Sequence, residues 1–282
     1  MNILTFDIEE WFHLLEFEPV RRMDSWSSFE SRIDKNLNRI LELLDEANQP
    51  ATFFVLGWIA EHYPNLIKRI DEQGYEIGLH SYGHQLLREI ERTAFVKDLR
   101  KAKDIIQNIT TKPLEAYRAP GFSLDQNQSW VVEELIEHQI KIDASICPPT
   151  HFHGGFKYHV PNQPFKLNVN GKEIKEFPVG YRNLMGIRFL FVGGGFFRFY
   201  PLSLIRSQLK KEKYNMTYFH PGDFDDKQPR LEGLPPMRRL QSYVGLKNNF
   251  QKFKKILKDT DFVDLRMADT MVDWDKVVTL GL

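Results

Sequence analysis

The chain has 282 residues, 42% of them hydrophobic and 27% charged, with 38 basic and 38 acidic side chains. A chain of this size and make-up can bury a core without disulfides. Its zero formal charge excludes a global field that would draw nucleic acid or an anionic surface, leaving only local basic patches.

The N-terminal run MNILTFDIEEWF meets acidic residues by position 7. It lacks the basic start and apolar stretch of a signal peptide. Asn2–Asp7 reads as a buried strand. Phe29, Ile33, Leu37, Ile40 and Leu44 follow helical spacing, so a helix is expected over 27–47. Ala51–Leu56 is the next strand, followed by a helical stretch through Ile70 that Gly74 stops. Tyr75–Leu79 is a third strand, and Phe95, Leu99, Ala102, Ile106 and Ile109 mark another helix. Glu115–Arg118 reads as a short strand, Ser129–Ile140 as a helix and Lys141–Ser145 as a strand.

Cys147 is the single cysteine. It cannot form an internal disulfide and agrees with a reducing compartment. Residues 146–200, rich in Pro, Gly and aromatics, read as loops with short strands. A helix opens at Pro201, a strand covers Met216–Phe219, a helix covers Leu246–Lys258 and a last strand covers Phe262–Leu265. Lys252, Lys254, Lys255 and Lys258 fall on the solvated face of that last helix. No run reaches the roughly eighteen apolar residues of a membrane span, and a cytoplasmic protein is expected. Strand–helix alternation without a linker or repeat implies one parallel α/β barrel, open or closed, with its working residues at the strand C-termini. Asp7, His80, Arg118, Asp143 and His220 each stand at or just past such an end and should converge on one face.

His80 and His84 lie four apart in LHSYGH, with Ser81 placed to cap a helical turn. That spacing sets two imidazoles on one side, able to share a metal. Two histidines and a carboxylate from another strand leave a coordination position open for water. In FDIEEWF, Asp7 and Glu9 would alternate to the same side, one able to bind metal and the other to take a proton. Glu10 fits a helix cap or a solvent-facing acid. Arg118, in YRAPGFS, can pair with Asp7, and the turn at Pro120 and Gly121 can offer backbone N–H groups to an oxyanion. His220, in YFHPGD, suits a general acid, with Asp143 to orient it. Gly193–Gly195 lacks the spacing of a nucleotide loop, and His151 and His153 read as exposed loop residues. Trp11, Phe12, Tyr117, Phe122, Phe196, Phe197 and Tyr200 suit sugar faces or core packing equally.

TFDIEEWF, ATFFVLGWIAE, EIGLHSYGH, YRAPGFS and YFHPGD, in this order, resemble the polysaccharide deacetylase (NodB-homology) family, carbohydrate esterase family 4. GGGFFRFYP at 193–201, and residues 231–282 as a C-terminal extension, resemble the branch associated with exosortase and exopolysaccharide clusters. The resemblance implies a distorted (β/α)7 barrel, one domain over 1–282, and hydrolysis of the acetamide of an N-acetylhexosamine in a polysaccharide or precursor. It implies Asp7 as base, His80 and His84 as metal ligands, Arg118 as tether of the base, His220 as acid and Asp143 as its orienter. Tyr117, Pro120, Gly121 and Phe122 would line the substrate, and the metal would be zinc or a similar divalent ion. The family's usual second aspartate is Ile8 here, so the third ligand passes to Glu9, with Glu10 as fallback. An amidase of the same fold on a small amide, or an inactive carbohydrate-binding protein, are the alternatives.

Overall fold

The structure, a computed structural model, describes residues 1–147, 153–156, 160–184, 187–191 and 193–282. His151 lies outside the described residues.

The chain opens on β1 (Asn2–Ile3) and β2 (Thr5–Ile8), both in the expected first strand. Helix α1 (Glu18–Arg21) and a 3-10 turn at Met23–Ser28 precede α2 (Ile33–Ala47). The second helix therefore starts later than position 27, for a reason that lies in the site and is given below. Strand β3 (Thr52–Val55) leads into α3 (Gly57–His62) and α4 (Pro64–Glu72). The expected single helical stretch is broken because Tyr63, preceding a proline, leaves the helical region (φ −132°, ψ 56°) and Pro64 starts anew. Then come β4 (Glu76–Leu79), α5 (Arg92–Gln107), β5 (Ala116–Tyr117), α6 (Ser129–Glu137) and β6 (Ile142–Asp143), each within its expected range or overlapping it.

Residues 146–200 hold the expected short strands and, in addition, a helix that the expectation omits. That segment holds a hairpin of β7 (Phe165–Val169) and β8 (Lys172–Glu176), a smaller one of β9 (Arg182–Leu184) and β10 (Ile187–Phe189), and helix α7 (Gly194–Phe199). Helix α8 (Leu202–Lys211) opens after Pro201, and β11 (Asn215–Met216) follows. Helices α9 (Pro236–Tyr243), α10 (Leu246–Asp259) and α11 (Leu265–Met271) and strand β12 (Thr279–Gly281) complete the chain. The expected strand at Phe262–Leu265 reduces to one bridge, Val263 to Ile3. Asp264 then accepts from Met267 N at 2.7 Å and starts α11 instead.

Among the described residues, β2, β3, β4, β5, β6 and β8 run parallel in that order, and 215–219 completes a seventh parallel position beside β1 and β2. Asp7 N donates to Phe219 O at 2.8 Å and Phe219 N to Thr5 O at 3.2 Å. Between β8 and β11 the wall is held by side chains, the Tyr214 hydroxyl donating to Pro178 O at 2.6 Å. That seam is the distortion of the (β/α)7 barrel. The interior strands are buried on both faces, as β2 and β3 show at every position. Phe6 stands at the centre of an aromatic cluster with Phe53, Phe219, Phe224 and Phe253. Among the described residues, no helix is long and apolar enough to cross a membrane.

Candidate metal centre and acid–base site

The C-terminal ends of β2, β4, β5 and the 215–219 segment bring Asp7, Glu9, His80, His84, Arg118 and His220 together. After β2 the chain turns sharply, Glu9 N donating back to Asp7 O at 3.1 Å. Glu9 Oε1 then lies 2.7 Å from His80 Nε2 and 2.9 Å from His84 Nε2. The ligand atoms of this trio lie within 4.8 Å of one another, as do those of Asp7, Glu9 and His220. Glu9 is shared, so five side chains form one continuous set.

His80 and His84 do not sit on a helical turn. Ser81 and His84 both take left-handed backbone, at φ 65° and 51°. The imidazoles therefore converge through a loop bent twice, a conformation that ordinary residues hold only when their surroundings enforce it. Asp98 supplies part of that enforcement, accepting from Tyr82 N and Gly83 N at 2.8 Å each. Behind His84 stands an aromatic wall, with His13 at 5.8 Å between ring centres and Trp26 and Trp58 packed on His13. Burial pushes the His13 imidazole well below its ordinary range and keeps that wall neutral.

The chemistry of the trio suits a divalent cation. His80 Nδ1 faces Arg118 O at 2.8 Å, and a carbonyl only accepts, so Nδ1 carries the proton. The neutral ring then presents an Nε2 lone pair to a carboxylate oxygen. Two acceptors at 2.7 Å require a proton or a metal ion at that point. Burial disfavours the Glu9 carboxylate, yet the charge of His84 and the close approach of the two imidazoles hold it well below the usual range. The trio is anionic ligand plus two imidazoles, the donor set of hydrolytic zinc sites.

Glu10 turns away from this centre. Its Oε1 accepts from Ser31 Oγ at 2.6 Å, Arg32 N at 2.9 Å and Ile33 N at 3.1 Å. Glu10 thus caps α2 from outside the helix and fixes its start at Ile33. The fallback assignment of a metal-ligand role to Glu10 does not fit this geometry.

Arg118 is fully buried. Its Nη1 donates to Asp7 Oδ1 at 2.6 Å and Thr5 Oγ1 at 2.8 Å, its Nε to Ala144 O at 3.3 Å, and it stacks over Phe54. The guanidinium leaves Asp7 Oδ2 facing His220 Nε2 at 3.9 Å. His220 is the open member of the set, its side chain 36% exposed against 3% for Asp7, so it can reach a ligand from solvent.

Asp143 bonds Ser145 and not His220, which corrects its expected role. Its Oδ1 accepts from Ser145 Oγ at 2.5 Å, and Ser145 Oγ accepts from Ala119 N at 2.8 Å. Asp143 therefore steadies the turn after Arg118. It is buried beside Glu176, and burial pushes both carboxyls up, Glu176 the further because the charge of Asp143 adds to it. The carboxylate on His220 belongs to Asp223, whose Oδ2 lies 2.9 Å from His220 N and 3.2 Å from its Nδ1. Arg198 Nε stands 3.3 Å from Asp223 Oδ1. Burial works against the imidazolium, but the Asp223 hydrogen bond and the charges of Glu9, Asp223 and Asp7 outweigh it, raising His220 to about 9. Sequence reasoning missed Asp223 although FHPGD carried the signal. An acid three residues past the histidine, across a Pro-Gly turn, is the third position of a capping box.

The remaining candidates border the mouth unequally. Gly121 and Phe122 take left-handed backbone after Pro120. Phe122 N is used by Ala119 O at 3.0 Å, and Arg118 N by Leu79 O at 2.9 Å. The Tyr117 ring is 1% exposed and packs edge-on to Phe95 in the helix layer, so its side chain does not face a substrate. His153 is held by Glu16 at 2.6 Å rather than lying free in a loop. Phe12 and Phe197 belong to the core, and Trp11 donates to Glu30 O at 2.9 Å.

Residues 19–137 match the family described as polysaccharide deacetylase, and residues 144–269 match a domain of unknown function (DUF3473). A peptidoglycan-N-acetylglucosamine deacetylase of Bacillus cereus is 33% identical over 97 residues, 34% of this chain and 35% of that protein. A peptidoglycan-N-acetylmuramic acid deacetylase of Bacillus subtilis is 37% identical over 109 residues, 39% of this chain and 22% of that protein. The chain thus spans about a third or less of the length of these two relatives. A crystal structure from Mycobacterium smegmatis, described as a "putative polysaccharide deacetylase", superposes with TM-score 0.65 at 18% identity. That likeness covers 100% of this chain and 92% of the other and shows a shared fold.

Proposed function

We propose that this chain, whose residues 19–137 match the polysaccharide deacetylase family, belongs to that family and removes the N-acetyl group from an N-acetylhexosamine in a polysaccharide or its precursor. The observation that carries the reading is Glu9 Oε1 held between the Nε2 atoms of His80 and His84, with Asp7 and His220 on its other flank. Glu9, His80 and His84 would hold a divalent ion, with zinc favoured by the two-nitrogen, one-oxygen donor set. Such an ion supplies Lewis acidity for an amide carbonyl and makes water a stronger acid.

The chain's own groups account for the proton traffic. Asp7, oriented by Arg118, takes one proton from the attacking water as the new C–O bond forms. The Gly121 N–H, on the turn steadied by Ser145, donates to the developing oxyanion. His220, kept charged by Asp223, gives its proton to the departing nitrogen as the C–N bond breaks. Acetate and a free amino sugar leave. Cys147 is buried, and burial pushes its thiol up to about 12, so it takes no part. A lone inert thiol agrees with the cytoplasmic location included in this reading.

The test is acetate release from N-acetylglucosamine oligomers with zinc supplied. His220→Ala is expected to lower kcat by about 10²–10⁴-fold, and Asp7→Asn to abolish turnover while the fold is kept. Equal acetate release by wild type and both variants would remove the assignment.

A further inference from the structure

The described residues expose few large apolar side chains, and four of them come from two adjoining helices. Phe196 (42%) and Phe199 (69%) stand on α7, Met237 (67%) and Leu240 (58%) on α9. Helix α9 buries none of its residues. Met237 and Leu240 are one turn apart and share a side of it. The two helices touch through Arg198, whose Nη1 donates to Ser242 O at 2.6 Å and Nη2 to Gln241 O at 2.8 Å. Phe196 and Phe199 keep ring contacts with Tyr200, and the large exposed remainder of all four side chains faces outward on two helices that touch.

Cations surround this patch. Between Lys227 and Lys258 the sequence holds nine Lys and Arg and a single acid, Glu232, in a chain of zero net charge. Arg230, Arg239 and Lys247 are exposed around α9. Arg238 pairs with Glu16 at 2.9 Å, and Lys252 is turned inward, its Nζ 2.5 Å from Phe197 O. Inward-turned Lys252 corrects its expected place on a solvated face. Two copies of this patch brought together would juxtapose like charges, which disfavours self-association. Apolar side chains rimmed by exposed cations instead match the boundary between headgroups and acyl chains of an anionic bilayer.

We propose that α7 and α9 dock this protein on an anionic lipid surface, with Phe196, Phe199, Met237 and Leu240 entering the interface and the arginines and Lys247 meeting the headgroups. The surface borders the site. Arg198 links it to Asp223 behind His220, and Arg238 links it through Glu16 to His153, which lies beside Gly121. The proposal stands on this surface and does not rest on the reaction.

Co-sedimentation of the full chain with vesicles of phosphatidylglycerol and phosphatidylcholine tests it. Binding is expected to phosphatidylglycerol vesicles and to fall when salt is raised from 0.05 to about 0.5 M, beyond which surface charges are screened. Phosphatidylcholine alone should bind weakly. Phe199→Ser with Met237→Ser and Leu240→Ser should weaken binding at least tenfold with an unchanged melting temperature. Arg239→Glu with Lys247→Glu should weaken it only at low salt. No sedimentation with anionic vesicles, or equal sedimentation of the triple variant, would overturn the proposal. So would a wild-type dimer in light scattering that the triple variant dissolves, or loss of oligosaccharide affinity without any vesicle binding.

Discussion

Glu9 and Glu10 are neighbours in sequence, yet their side chains do unrelated work. Glu9 faces two imidazoles, while Glu10 takes the opposite direction and satisfies the free N–H groups at the start of α2. His220 shows the same dependence on surroundings. Its proton is held by Asp223, which is in turn kept ionised against burial by the charge of Arg198 and the His220 hydrogen bond. Asp223→Asn is therefore predicted to lower kcat by about 10–100-fold, as loss of an orienting partner does. It should also move the alkaline limb of the pH profile to lower pH, because an acid with less anionic support loses its proton sooner. An unmoved limb would mean that Asp223 only shapes the backbone.

At the scale of elements, the start of α2 depends on a carboxylate from the β2 loop. Glu10→Ala removes three hydrogen bonds and is predicted to cost about 1–2 kcal/mol by denaturant unfolding, with the metal centre intact. No change in stability would show that water caps the helix equally well. On β4, burial raises the Glu76 carboxyl to about 7 from 4.5, with hydrogen bonds from Thr52 and Arg266 N only partly offsetting it. The folded state thus holds a proton that the unfolded chain releases, so this group loses stability as pH rises from about 4.5 to 7. Glu76→Gln should gain about 1–2 kcal/mol at pH 8, discounted for partial exposure, and nothing at pH 4. A variant equally stable at both pH values relative to wild type would contradict the assignment.

At the scale of the whole molecule, the barrel was legible because the strands and long helices of its first half obey simple periods. Leu37, Ile40 and Leu44 mark one helix face, and apolar strands end in polar residues that meet at one rim. The His80 and His84 pair was found by a helical spacing that the fold does not use, since two left-handed residues bend a loop to the same result. Such strain has no signature in periodicity. Asp143 was misassigned because strand-end position gives the rim but not the partner across it. Helix α7 was missed because its glycines read as loop. Gly193 is needed there, since a Cβ would meet the Tyr218 ring at 2.3 Å.

The proposed chemistry requires a cation site made by Glu9, His80 and His84 and not by Glu10. Metal content per chain, measured after purification in trace zinc, tests it most directly. One ion is predicted in wild type and Glu10→Ala, and none in Glu9→Ala or His80→Ala. An ion retained by Glu9→Ala, or absent from folded wild type, would contradict it.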